Sequence, residues 1–241
     1  MDKDLIDFLT TLNHVRSVDE AWRSTVSFMR ARGAEHVGFS LELEDANPLL
    51  MWSLPSWVVK QWLEEVYPEH DPTVAHCRNH VTPFFSGAAF LDRHPEFAEP
   101  YKSYLKDIVH EEAHAAVALP VHNYASGDWG KFSLSTDLSA EAFERLYHER
   151  GMTVYMAAVA AFNRIRTLIK QERAADIGLT ERERECLLWL ARGMRNDQIA
   201  ERMGIRPVTV ALHLANSRRK LGARTREQAL VGAVQLGLVE P

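Results

Sequence analysis

Four short helical stretches with no strand among them close this chain, and their spacing leaves little choice of fold. A capping box of Thr180 with Glu183 opens the first, Gly193 interrupts it, and Thr225 with Gln228 opens the last. Between them, Asn196 to Met203 and Pro207 to Leu221 carry the helical period on either side of Gly204-Ile205. Two helices joined by so tight a turn make helix-turn-helix geometry.

Charge separates this tail from the rest. Residues 175 to 241 hold 11 Lys/Arg against 8 Asp/Glu, which leaves 17 against 25 for residues 1 to 174. Arg206, Arg218, Arg219, Lys220, Arg224 and Arg226 fall in the stretch Ile205 to Arg226, which contains no acid. Such a patch suits a polyanion, although on charge alone a solvated helix face explains it equally well. It lies on the second helix of the pair, however, where a recognition helix needs cations at its flanks to meet phosphates, and the coincidence favours DNA.

The first two thirds read differently. Ser17 with Glu20 makes another capping box, followed by the helical apolar set Ala21, Trp22, Val26, Phe28 and Met29. His36 to Leu43 and Leu49 to Trp52 are strand-like, helices are expected after Pro55 and from Asp71-Pro72, and Pro95 to Val109 offers further helix. AAVALPVHN and WGKFSLSTD alternate on either side of YASGD, a β-hairpin, and Ser139 opens a long helix. Helices, a few strands and helices again predict an α+β protein: an N-terminal α/β/α sandwich with room for a pocket, then a small all-α four-helix domain. The expected boundaries are residues 1–165, a polar linker at 166–178, and 179–241.

At 241 residues, with 46% hydrophobic and 25% charged, the chain has the balance of a folded soluble protein with room for two unequal domains. No apolar run is long enough to span a bilayer, and the acids in MDKDLIDFL stand where a secretory signal carries basic residues, so a cytoplasmic protein without a membrane partner is expected. Cys77 and Cys186, far apart and without C-x-x-C spacing, predict reduced buried thiols rather than a disulfide or zinc cage.

From Leu179 to Val239 the residues resemble the C-terminal domain of the LuxR family. Glu183, Leu187 and Gly193 fall on its signature positions, and T-V-x-x-H-x-x-N-x-x-x-K-L is met by Thr209, Val210, His213, Asn216, Lys220 and Leu221. Glu183 reads as the cap partner of Thr180, Leu187 as core and Gly193 as a helix stop. The resemblance implies double-stranded DNA as partner, with the face of Arg206, Thr209, Ala211, Leu212, His213, Ala215, Arg218, Arg219 and Lys220 meeting it, and a homodimer formed through the last helix on a two-fold operator. Ala211 and Ala215 stand where family members often present polar base readers; alanine can touch a thymine methyl but cannot donate to guanine. Arg206-Pro207 replaces the usual capping serine, and Arg206 is expected to add a phosphate contact.

The N-terminal part resembles the family's autoinducer-binding domain, and implies a small-molecule signal. Asp71-Pro72-Thr73-Val74 and Pro83-Phe84-Phe85 stand at the D-P and P-F-x-W segments, so Asp71 is placed to accept a hydrogen bond from a ligand amide N–H, or else simply caps the next helix. Trp62 takes the family tyrosine position, Val58 the tryptophan position with Trp57 one residue out of register, and Ser86 the place of the P-F-x-W tryptophan. Ala116 replaces a usual glycine, and Ser133 matches a ligand-contacting hairpin serine. With Ser86 lacking the indole donor, an ordinary acyl-homoserine lactone fits poorly; a tryptophan at the tyrosine position is shared with plant-associated receptors that lack a partner synthase.

HEEAH, residues 110–114, also matches the zinc-protease pattern H-E-x-x-H, in which His110 and His114 hold the metal and Glu111 acts as base. No pattern picks a third ligand among Glu141, Glu144 and His122, and AAVALPV alternates like a strand directly after His114, so an enzyme, a metal and any other cofactor are not expected. His76 and His80, one helical turn apart beside Cys77, read as satisfied or surface histidines. Three readings stand in order: a ligand-responsive dimeric transcription factor, the same regulator with a pocket filled by its own side chains such as Trp62, and a zinc hydrolase fused to a DNA-binding module.

Overall fold

The computed structural model describes residues 3–43, 48–107, 114–124 and 126–239. The chain divides into two compact units, Met1–Arg166 and Thr167–Pro241.

In the first unit, helices α1 (Lys3–His14) and α2 (Val18–Arg30) precede strands β1 (His36–Glu42) and β2 (Leu49–Trp52). Helices α3 (Ser56–Glu65) and α4 (Pro72–Asn79), strand β3 (Phe84–Ser86), a 3₁₀ turn at Ala88–Arg93 and helix α5 (Glu99–Asp107) follow. The hairpin β4 (Ala115–Asn123) and β5 (Asp128–Thr136) leads into α6 (Ala140–Ile177). The described strands form an antiparallel sheet in the order β2-β1-β5-β4-β3.

Strand periodicity sorts the sheet into two unlike faces. Val37, Phe39, Leu41, Val117, Leu119, Phe132 and Leu134 are buried on one face, where Phe39 and Phe132 stack at 4.5 Å and Met29 of α2 and Phe143 of α6 gather over Val117 and Leu134. Cross-strand registers Gly38↔Ser133, Ser40↔Lys131, Ala118↔Ser133, Ala116↔Ser135 and Ser86↔Ala116 put small residues and one lysine on the other face. Small side chains leave space above a sheet, and α3, α4 and α5 roof it. Val58 and Trp62 on α3 and Val66 at its C-cap, spaced four residues apart, pack in one cluster with Phe97, Tyr101, Tyr104 and Leu105.

The second unit holds α7 (Glu181–Ala191), α8 (Asn196–Met203), α9 (Pro207–Lys220) and α10 (Arg226–Gln235). Their core is one cluster that includes Cys186, Leu187, Ile199, Met203, Val210, Leu214 and Ala233. Gly204, at φ 66, takes the left-handed conformation that ends α8, and Ile205 N–H returns to the Ala200 carbonyl at 3.0 Å.

Three elements differ from expectation. Phe84–Ser86 is a strand where only the Pro83-Phe84-Phe85 segment was noted; three residues are too few to show alternation, and their pairing comes from Ala116–Ala118. Residues 166–178, expected as linker, are helical through Ile177. Of the helix expected over Pro95 to Val109, Glu99–Asp107 is helical, and residues 108 and 109 lie outside the described residues.

Candidate functional site

The space between the small-residue sheet face and its helical roof is a cavity enclosing about 640 Å³ not occupied by atoms, part of it open to solvent. Val58, Trp62, Asp71, Thr73, Ser86, Ala116 and Ser133, all expected from sequence, line it. Trp57, Val74 and Phe85 do not. Trp57 sits one residue off the α3 inward stripe and is 55% exposed, Val74 is buried in α4 outside the lining, and Phe85 has the opposite strand parity from Ser86. Its ring packs on the other sheet face, edge-on to Tyr147 at 5.3 Å.

A buried ion pair occupies the polar centre. Asp71 and Lys131 are 4% and 2% exposed, and Lys131 Nζ donates to Asp71 Oδ2 at 2.9 Å. The Trp62 indole N–H donates to the same oxygen at 3.0 Å. Asp71 Oδ1 accepts from the Thr73 amide at 2.8 Å and the Thr73 hydroxyl at 2.6 Å, while Lys131 Nζ also donates to Thr73 Oγ1. Asp71 is therefore both N-cap of α4 and counter-ion of Lys131. Burial pushes its carboxyl up, but the Lys131 ammonium and the two Thr73 donors outweigh burial and hold it below the usual carboxylate range.

Aromatic rings form the rest of the wall. Trp52 meets Trp62 edge-on at 5.0 Å. Its indole Nε1 is buried without a hydrogen-bond partner among the described residues. Tyr101 and Tyr104 are buried, which pushes both phenols above their ordinary value, and Tyr101 hydrogen-bonds the Ser86 side chain. Burial likewise pushes the Cys77 thiol up to about 12, so it is an inert neighbour of the pair. Gly38 lets the Trp52 ring lie on the sheet, because a Cβ there would stand 2.0 Å from ring atom Cζ3. Gly38→Ala is expected to displace that ring and cost about 1–3 kcal/mol, as overpacking does. Urea unfolding with tryptophan emission as readout checks it; an unchanged midpoint and spectrum would refute it.

Tyr101, Tyr104 and Lys131 escaped the sequence reading. A signal existed for Lys131: it shares strand parity with Ser133 and Ser135 in W-G-K-F-S-L-S.

On α9 of the second unit, Val208, Ala211, Leu212, Ala215, Arg218 and Arg219 form one exposed face, and Arg206 is exposed just before the helix. Val210, Leu214 and Ser217 are buried on the opposite side. Thr209 and His213 are half-buried. Lys220, expected among the DNA contacts, donates instead to Glu183 Oε2 at 2.7 Å and to the Gly178 carbonyl at 2.9 Å. Glu183 closes the Thr180 capping box. Burial raises its carboxyl, yet Lys220 and Thr180 hold it below the usual range. These two residues lock α9 to α7.

Of HEEAH, residues 110–113 lie outside the described residues. His114 precedes β4 outside any helix, and its carbonyl accepts from the Ala89 amide at 2.9 Å. Glu144 pairs with Arg93, Glu141 Oε2 accepts from the Ser139 hydroxyl at 3.1 Å, and His122 Nε2 lies 3.3 Å from the Arg78 carbonyl. His76 and His80 stack at 4.6 Å, with His76 Nε2 2.8 Å from the Thr82 carbonyl. Among the described residues no group of three or more His, Cys, Asp or Glu could hold a metal ion. None of the described helices is long and apolar enough to cross a membrane.

Comparison with known proteins gives each unit a counterpart. A family model described as an autoinducer binding domain matches residues 17–165, and one described as bacterial regulatory proteins, luxR family, matches residues 178–233. The transcriptional activator protein RaiR of Rhizobium etli is 31% identical over 192 residues, 78% of this chain and 76% of its own. AnoR of Acinetobacter nosocomialis, also a transcriptional activator protein, is 26% identical over 97% of this chain and 98% of its own. Among solved structures, Escherichia coli SdiA shares the fold with a TM-score of 0.66 over 98% of each chain at 14% identity. SdiA in complex with octanoyl-rac-glycerol gives 0.64 over 99% of this chain and 98% of its own.

Proposed function

The chain belongs to the LuxR family of bacterial regulatory proteins, a DNA-binding regulator with a ligand-binding domain, and on that premise we propose that a small amphipathic molecule in the N-terminal cavity controls how it binds DNA. The observation that carries this reading is the cavity itself: an aromatic, small-residue chamber with a charged pair at its centre, inside the segment that matches the autoinducer-binding domain. An acyl chain would fill the apolar part and a polar head would meet the donors around Lys131. Candidates are acyl-homoserine lactones and other acylated heads, including esters such as the octanoyl-glycerol held by SdiA.

Linkage supplies the mechanism. Enclosing an apolar chain removes area from water at roughly 25 cal/mol per Å² and stabilises only the folded, dimer-competent state. Homodimerisation is supported by exposed apolar stripes, Met152, Met156 and Val159 on α6 and Val231 with Val234 on α10. A dimer would present two α9 faces to a two-fold operator. Apolar Val208, Ala211, Leu212 and Ala215 between arginines suit thymine methyls flanked by phosphates.

A second reading, a regulator whose pocket is filled from within, is favoured by one contact: Trp62 already donates to Asp71. Heating the full chain with and without acyl ligands separates the two. At a ligand concentration of about 100 Kd, binding should add roughly 2.7 kcal/mol and raise the melting temperature. Retention of operator DNA should change with the same ligands. An unmoved melting temperature and ligand-independent DNA binding would leave the self-filled pocket.

A further inference from the structure

At the Asp71–Lys131 centre of the cavity, donors outnumber the free acceptor sites. A carboxylate offers about four lone-pair sites. At Asp71 all of them are taken, two donors on each oxygen, and every donor belongs to the protein. A ligand N–H could reach this carboxylate only by displacing Trp62, Thr73 or Lys131. One group in the wall with no hydrogen-bond partner among the described residues is a donor, the buried Trp52 indole N–H. Lys131 carries three N–H bonds, and two are spent on Asp71 and Thr73. Charge is balanced as well: Asp71 and Lys131 are the carboxylate and ammonium among the lining residues, and they neutralise each other. An ionised ligand would find no counter-charge left over from this pair, at the desolvation cost of a buried charge.

From this we infer that the cavity selects neutral acyl amphiphiles through their hydrogen-bond acceptors, carbonyl, ester or lactone oxygens, and makes no use of an amide N–H at Asp71. Trp52 Nε1 is the specificity-determining donor. The inference rests on the proposal that this cavity holds the regulating molecule.

A single-atom exchange in the ligand tests it on the unmodified full chain. N-octanoyl-homoserine lactone and its ester counterpart, α-octanoyloxy-γ-butyrolactone, differ only in N–H against O, and calorimetric titration compares them. The expected result is an ester that binds less than tenfold more weakly than the amide, or more tightly, with octanoate at least tenfold weaker than the ester. Trp52→Phe, which keeps most of the ring and removes the donor, should weaken ester binding about tenfold, as loss of a buried hydrogen bond does. An amide preference of tenfold or more, octanoate binding on a par with the ester, or an indifferent Trp52→Phe variant overturns the inference while leaving a ligand-binding regulator in place. If none of the three probes binds and DNA retention ignores them all, the ligand-controlled reading fails first and takes this inference with it.

Discussion

Replacing Lys131 with methionine is expected to lower the unfolding free energy of the N-terminal unit by about 3–5 kcal/mol, the range for removing one partner of a buried ion pair. Methionine keeps much of the length and apolar bulk, so the loss reports the charge. Asp71, 4% exposed, would keep its Thr73 and Trp62 donors but lose its counter-ion. The pH dependence should change sign. In the native chain the depressed Asp71 carboxyl contributes stability that is present above its unfolded value, near 4, and lost as pH falls through the lower folded value. In Lys131→Met, burial is opposed only by neutral donors and raises the folded value, so stability should be gained as pH falls and lost as pH rises through it. Urea titrations of the N-terminal transition at several pH values measure both effects. Adding Asp71→Asn should restore part of the loss, because the double variant buries no unpaired charge; a double variant as unstable as the single would place the damage in packing instead.

The joint substitution of Arg206, Arg218 and Arg219 by alanine is expected to weaken operator binding about a thousandfold for each bound chain, at roughly 1.5 kcal/mol for each charge-assisted contact. It should flatten the slope of log affinity against log salt by about one for each arginine in each bound chain. All three are exposed, around the apolar face of α9. Lys220→Ala makes the contrast. Its ammonium is held by Glu183 and the Gly178 carbonyl, so its loss should lower the stability of the second unit and leave the salt slope nearly unchanged. Filter binding across a salt series decides: an unaltered slope in the triple variant, or a slope for Lys220→Ala as reduced as for one arginine, would mean that the DNA-facing cations are misassigned.

How legible these features were follows the distance over which each is decided. Thr180 with Glu183 and Thr225 with Gln228 are capping boxes of neighbours three residues apart, and both form. On α9 the helical period turns Val210 and Leu214 inward and Ala211, Leu212 and Ala215 outward, the last three within the face that the family resemblance implies. Period-two alternation likewise marked the β4–β5 hairpin. Trp57 was harder, because an inward stripe one residue away turns it to solvent.

What local rules could not supply was the partner of each buried charge. Lys131 meets Asp71 across 60 positions of sequence, and Lys220 meets Glu183 across 37. Each union turns a residue read alone, as a free ligand acceptor or a phosphate contact, into half of a satisfied pair. Most helices, the capping boxes, the hairpin and the arginine-flanked face were legible in the chain alone, since those depend on neighbours a turn or a pleat away. Which charges face each other, and with them what the cavity has left to offer, came from the packed fold, because burial forces a charge to find its counter-ion wherever the folded chain brings one.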